Sequence, residues 1–148
     1  MSSRKTPLLI FVLCLLFISF PTLSQVLSGK VVSVADGGTI TILDSSKRQH
    51  KIRLYGIDTP EKSQAYGKKA KKFTANLAAG KAVEVEVYDT DQYGRSVGVV
   101  FVAGANVNRE IIRNGFAWQY QRYCKKSFCD DWLKLERQAR SNGIGFMG

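Results

Sequence analysis

Two short strings of the chain carry the side chains best suited to phosphoryl chemistry. The first is Ile52-Arg53-Leu54-Tyr55-Gly56-Ile57-Asp58-Thr59-Pro60-Glu61, and the second is Asp91-Gln92-Tyr93-Gly94-Arg95. Arginine presents a planar fork of donors that meets paired anionic oxygens. Fixed in advance, such forks stabilise charge that develops on phosphoryl oxygens. A carboxylate and a backbone carbonyl are hard oxygen ligands for a divalent cation, and a second carboxylate can take a proton from water. Taken alone, each residue also has a plain structural reading. Arg53 sits on a strand between apolar Ile52 and Leu54, and could simply pair with Asp58 or Glu61. Arg95 follows a Tyr-Gly turn and could simply face solvent. Other catalytic signatures are missing: there is no G-x-S-x-G, H-E-x-x-H, phosphate-binding P-loop or dinucleotide fingerprint. With His50 as the only histidine, imidazole catalysis has little to work with.

The elements around these strings read as short strands followed by helices. Residues 30–35, 39–43 and 50–55 alternate apolar and polar types, with Asp36-Gly37-Gly38 as a tight turn between the first two. The period then changes. Tyr66, Ala70, Phe73 and Leu77 recur at helical spacing over residues 63–79, and Gly80 stands as the stop. Lys68, Lys69, Lys71 and Lys72 fill the other positions, as a solvated face or as a nucleic-acid contact. Strand character returns at 82–88 and 96–102. Residues 107–114 form a short helix stopped by Gly115. Residues 130–140 form the last one, with Ser127 and Asp130 in a capping-box pattern and Trp132, Leu135 and Ala139 as an apolar stripe. The chain is therefore α+β, mainly β: a five-stranded Greek-key OB barrel with three helices, in one domain spanning residues 25–148.

Residues 1–24 have the marks of an export signal. Arg4 and Lys5 precede an apolar run from Leu8 to Phe20, and Thr22 and Ser24 are small residues suited to cleavage after Ser24. An uncleaved anchor is the other reading, although the run is shorter than the ~20 residues a spanning helix needs. The whole chain has 22 Lys and Arg against 12 Asp and Glu. Loss of Arg4 and Lys5 leaves a net charge of about +8, which favours a polyanionic partner. Export would place the protein in a periplasmic or extracellular space, where Cys124 and Cys129 would form a disulfide once Cys14 is removed.

Taken together and in order, these strings resemble the motifs of the staphylococcal nuclease (thermonuclease) family. Asp36-Gly37-Gly38-Thr39, the string from Ile52 to Glu61, Tyr66-Gly67, Asp91-Gln92-Tyr93-Gly94-Arg95, Val107-Asn108 and Ile112-Arg113-Asn114-Gly115-Phe116-Ala117 carry the resemblance over nearly all of the chain past the signal. It implies an OB-fold, calcium-dependent phosphodiesterase acting on DNA and RNA, leaving 5′-hydroxyl and 3′-phosphate ends. By motif position, Glu61 activates the attacking water, and Arg53 and Arg95 bind phosphate. Asp58 ligates the metal through its carboxylate and Thr59 through its backbone carbonyl. Asp36 supports the site without touching the ion, and Tyr93 lies near a terminal phosphate. Tyr120 and Tyr123 are further aromatics able to stack on bases. DNA and RNA are the expected partners, with no obligate protein partner and no membrane once the signal is cleaved, and a monomer is expected.

One departure bears on the chemistry. The family turn reads D-G-D-T, and its second aspartate ligates the metal. Here Gly38 holds that place, which removes one oxygen and one charge from the cage and should weaken Ca²⁺. The ending Gly143-Ile144-Gly145-Phe146 also departs from the usual glycine-Leu-Trp. Two readings follow from Gly38: a nuclease with a weakened metal site, or a nucleic-acid-binding OB module that has lost catalysis. A weaker third reading has the positive charge attach an exported protein to the envelope.

Overall fold

The computed structural model describes residues 2–4 and 24–147. The apolar run of the expected export signal, with Cys14, lies outside the described residues. In chain order the elements are β1 (Gln25–Asp36), β2 (Thr39–Leu43), β3 (Gln49–Leu54), β4 (Ile57–Asp58), α1 (Gly67–Ala78), β5 (Ala82–Thr90), β6 (Ser96–Val102), β7 (Ala105–Asn106), α2 (Val107–Arg113), β8 (Trp118–Gln119) and α3 (Cys129–Ser141), followed by a 3₁₀ turn at Gly145–Met147.

The alternation of apolar residues closes the sheet into a barrel. β2 pairs antiparallel with β1 and β3, and β5 pairs antiparallel with β1 and β6. The cylinder shuts where β3 meets β6 in parallel, Ile52 opposite Ser96, Arg53 opposite Val97 and Leu54 opposite Gly98. The five-stranded barrel with three helices read from the sequence is the fold observed. Ile40, Ile42, Ile52, Leu54, Val85, Val99 and Val100 are buried in the core, which Ile111 and Ile112 of α2 and Trp132 of α3 extend. Each such side chain contributes roughly 1.5–3 kcal/mol on burial. Because side chains alternate across a strand, burying Ile52 and Leu54 turns Arg53 to the other face.

The structure departs from the sequence reading at four places. β1 begins at Gln25 rather than at residue 30, because residues 25–30 find a complete partner in β5, from Gln25 opposite Val87 to Lys30 opposite Ala82. Three two-residue strands join the expected five, and β4 pairs with β8 (Asp58 opposite Trp118). Helix α1 starts at Gly67, and Tyr66 is an exposed left-handed cap at φ 67 rather than the first residue of the apolar stripe. The Ser127–Asp130 capping box does not form: α3 begins at Cys129 after Phe128, which gives no side-chain cap. The disulfide between Cys124 and Cys129 takes over that boundary, with the Lys126 N–H donating to Cys129 Sγ at 3.3 Å.

Candidate active site

The site gathers at the end of the barrel where β3 and β6 close. Parallel pairing sends both strands the same way, and Arg95 immediately precedes Ser96, the residue opposite Ile52. Arg53 and Arg95, 42 positions apart in sequence, thereby line one cleft of about 490 Å³ with Tyr55, Asp91, Tyr120 and Tyr123.

Each arginine is held by its own loop. Nη1 of Arg53 donates to the Gly38 carbonyl at 3.1 Å and Nη2 donates to the Ile57 carbonyl at 3.2 Å. Nη2 also lies 3.8 Å from the Asp58 carboxylate, which is half exposed; a pair at that distance and exposure stabilises the fold by no more than about 1 kcal/mol. Arg95 is fixed by Asp91. One carboxylate oxygen accepts from the N–H groups of Tyr93 and Arg95, and the other accepts from Arg95 Nε at 2.6 Å. Burial pushes the Asp91 carboxyl up, but those backbone donors and the guanidinium outweigh it and hold the group below the ordinary carboxylate range. Spending Nε on Asp91 leaves the two terminal nitrogens of Arg95 for a ligand. Its guanidinium lies 5.3 Å from the ring centre of Tyr93, which stands exposed on the rim.

The carboxylate side of the site hangs on two tight turns. Asp36 accepts from the Gly38 N–H at 2.8 Å and shapes the β1–β2 turn. Gly37 presses that turn against Ala70 and Thr59, and its carbonyl accepts from the buried Thr74 hydroxyl at 2.7 Å. Asp58 ends β4, and Thr59 follows it, close against Gly37. Glu61 is exposed, and what is fixed is its backbone: its N–H donates to Gln64 Oε1 at 2.7 Å, and its carbonyl accepts from the Gln64 N–H at 2.8 Å.

The aromatic wall of the cleft is tied down from behind. Tyr120 and Tyr123 meet edge to face with ring centres 4.8 Å apart. The Tyr120 N–H donates to the Gly56 carbonyl, the Cys124 N–H to the Tyr120 carbonyl and the Lys125 N–H to the Tyr55 hydroxyl, each at 2.8 Å. Gly56 has φ 71, and a Cβ there would come within 2.7 Å of Cys124 Sγ. The disulfide thus packs directly on the turn that follows Arg53.

A family model described as staphylococcal nuclease homologue matches residues 51–146. The chain belongs to the staphylococcal nuclease family. It is 42% identical over 121 residues to a protein of Escherichia coli named an uncharacterized endonuclease, covering 81% of this chain and 75% of that protein. A Haemophilus influenzae protein with the same description is 37% identical over 116 residues, 78% of this chain and 64% of that one. A probable staphylococcal-like nuclease of Oryza sativa is 39% identical over 98 residues, 66% of this chain and 29% of that protein.

Family membership implies a metal, and the donors present fit one only loosely. Gly38 offers no side chain, and among the described residues no cluster of three or more His, Cys, Asp or Glu could hold an ion. Asp58 and the Thr59 carbonyl supply oxygens of the right hardness but only one negative charge. They fit a weakly held cation that keeps most of its water, not a caged one.

The structure brings Arg53, Arg95, Tyr120 and Tyr123 to one cleft, with Tyr93 and Asp58 adjoining it through the two arginines. It does not tie the Glu61 carboxylate to that group. Two supporting residues escaped the sequence reading as site residues. Asp91, four positions before Arg95, was readable from that spacing. Asn108 was not. It is fully buried, accepts from the Val100 N–H, and donates to the Tyr55 and Gly98 carbonyls at 3.0 and 3.2 Å, clamping the barrel seam beside both arginines.

Proposed function

We propose that this member of the staphylococcal nuclease family is an exported nuclease that hydrolyses DNA and RNA with little sequence preference, assisted by a loosely held divalent cation such as Ca²⁺. The observation that carries the reading is the convergence of Arg53 and Arg95 on one cleft floored by the barrel seam and walled by tyrosines. Two fixed guanidinium groups match the doubly anionic character that a phosphodiester acquires on attack. The relatives named as nucleases support the same chemistry.

In this reading Arg53 and Arg95 grip the phosphoryl oxygens of the scissile group. Glu61 takes a proton from the attacking water, whose oxygen bonds to phosphorus. The bond from phosphorus to the 5′ oxygen breaks, and that oxygen takes a proton from solvent. The products are a 5′-hydroxyl and a 3′-phosphate. Asp58 and the Thr59 carbonyl would hold the cation, Asp36 keeping their neighbouring turn in shape; when bound, the ion adds positive charge beside the phosphate. Tyr93, Tyr120 and Tyr123 offer faces to sugar and base, and the export signal supplies the route to a periplasmic or extracellular site of action.

Incubating the protein with single-stranded DNA and RNA tests this, across Ca²⁺, Mn²⁺ and Mg²⁺ and with chelator. Cleavage at millimolar metal, leaving ends that accept extension only after phosphatase treatment, is the expected outcome. Tight binding with no cleavage under any metal or pH would replace the nuclease with a binding module.

A further inference from the structure

Three exposed tyrosines of the protein carry a cation over or beside the ring. Tyr93 has Arg95 at 5.3 Å and Tyr123 has Arg122 at 5.5 Å, both at the cleft. The third, Tyr66, has Lys69 Nζ at 5.0 Å from its ring centre, and it stands elsewhere, just past Glu61. Gly67 lies so close to the Glu61 carbonyl that a Cβ would collide with it, so Tyr66 is anchored one residue from a direct backbone contact with Glu61. Tyr66 is 45% exposed although Phe146 lies with its ring centre 6.2 Å away. Behind Phe146 is Trp118 at 4.6 Å, and Trp118 pairs across the sheet with Asp58. A run of aromatic rings, partly buried at Trp118 and Phe146 and exposed at Tyr66, therefore continues outward from the carboxylate side of the site.

The charge beside those rings matches a phosphate backbone. Helix α1 contributes Lys68, Lys69, Lys71 and Lys72 and no acidic residue. Lys62 adds another exposed lysine on the connecting turn. Among the described residues no ion pair engages any of these lysines. Apolar rings next to unpaired cations suit a partner with both flat faces and regular negative charge, which a single nucleic-acid strand provides.

We propose that Tyr66 and Lys69 form a second contact for a single nucleic-acid strand, on the Glu61 side of the cleft. One base or sugar rests on the Tyr66 ring while the adjoining phosphate meets Lys69, with Lys68 and Lys72 extending the basic track. The proposal rests on the nucleic-acid reading of the cleft and adds a length requirement. A strand long enough to pass from Tyr93 across the arginines to Tyr66 is gripped on both sides of the scissile phosphate, and a very short one is not.

Binding separates this from catalysis. In a Glu61→Gln background, fluorescence anisotropy is read with a labelled single-stranded oligonucleotide of about ten nucleotides, within the span an OB fold covers, and with a labelled trinucleotide. Tyr66→Asn keeps a residue that tolerates the left-handed backbone but removes the stacking face, whereas Tyr66→Trp keeps a ring. The expected result is a roughly tenfold loss of affinity for the longer strand in Tyr66→Asn, a loss of about threefold in Lys69→Ala, retention in Tyr66→Trp, and an unchanged trinucleotide affinity in all three. Equal weakening for both lengths, or no weakening, overturns the second contact. If Tyr66→Asn lowers the thermal midpoint, the contrast between strand lengths in Lys69→Ala and Tyr66→Trp decides. Failure of the nuclease reading shows separately, as absence of cleavage by the wild-type protein.

Discussion

Arg53 occupies the space that a side chain on Gly38 would fill. Its Nη1 bonds the Gly38 carbonyl at 3.1 Å, and a Cβ built on Gly38 would collide with that same nitrogen. Gly38 also has none of the positive φ that favours glycine, so the backbone itself accepts another residue. The vacancy is one of chemistry, and the arginine has settled into it.

Gly38→Asp therefore tests how the site balances arginine against metal. The new carboxylate must push the flexible guanidinium aside, costing the Gly38 carbonyl bond about 1 kcal/mol. It also adds an oxygen and a charge next to Asp58. Ca²⁺ affinity measured by calorimetry is expected to rise by roughly tenfold or more, with the cleavage optimum moving to lower Ca²⁺. An unchanged calorimetric affinity would mean that Asp58 and Thr59 do not form the cation site.

The candidate site strings were legible because each is local: Arg53 to Glu61 and Asp91 to Arg95 are short enough for types and spacing to define them. What joins them was not. The parallel pairing of β3 with β6 is a long-range register choice that leaves no mark in either strand. Asn108 works only because Tyr55 and Gly98 arrive beside it from distant positions. Tyr66 shows the opposite failure. Its spacing fits the helical stripe read over residues 63–79, but the bonds from Gly67 N–H to the Gln64 carbonyl and from Gln64 N–H to the Glu61 carbonyl hold the preceding residues in turns, and the helix starts only at Gly67. The Ser127–Asp130 pattern likewise yielded to the constraint of the disulfide.

Asp91 should act as the positioning group for Arg95, and its effect should depend on pH. The folded carboxyl is held below its ordinary value. The stability it contributes is then fully present above about pH 4, the unfolded value, and disappears as pH falls through the lower folded value. Asp91→Asn should be less stable than wild type in urea at about pH 7, and the gap should close as pH falls below the ordinary carboxylate range. At neutral pH the variant should lose roughly tenfold in kcat/KM, because an unpaired Arg95 no longer presents its terminal nitrogens in one orientation. A stability gap that widens on acidification would contradict the assignment.

Charge alone should not rescue the two arginines. Arg53→Lys and Arg95→Lys keep the positive charge but lose the fork that bonds loop and phosphate together. Each is expected to reduce kcat by roughly a hundredfold or more, with a smaller change in strand binding. Single-turnover rates together with anisotropy separate the two effects. Near-normal turnover in both lysine variants would show that the cleft supplies only a diffuse field.

The disulfide should govern the aromatic wall more than the arginines. Cys124 follows Tyr123 directly, its N–H bonds the Tyr120 carbonyl, and its sulfur packs on Gly56. Closing so small a loop stabilises the fold by about 2 kcal/mol in the chain-entropy picture. Both cysteines are buried at the edge of the core, but the side chains that the five barrel strands contribute to it are kept, so a Cys124→Ser, Cys129→Ser double variant should still fold, with a lower thermal midpoint. Its main defect should be in strand binding: freed from their anchor, Tyr120 and Tyr123 lose the fixed edge-to-face pairing that presents them to a base. KM for single-stranded DNA is expected to rise several-fold, in line with the loss of part of one stacking contact, while kcat at saturating substrate changes by less than about twofold. Wild-type protein treated with reductant should shift the same way and recover on reoxidation. If kcat falls and KM holds, the disulfide acts instead through Gly56 on the turn after Arg53, and the wall formed by Tyr120 and Tyr123 is not what it positions.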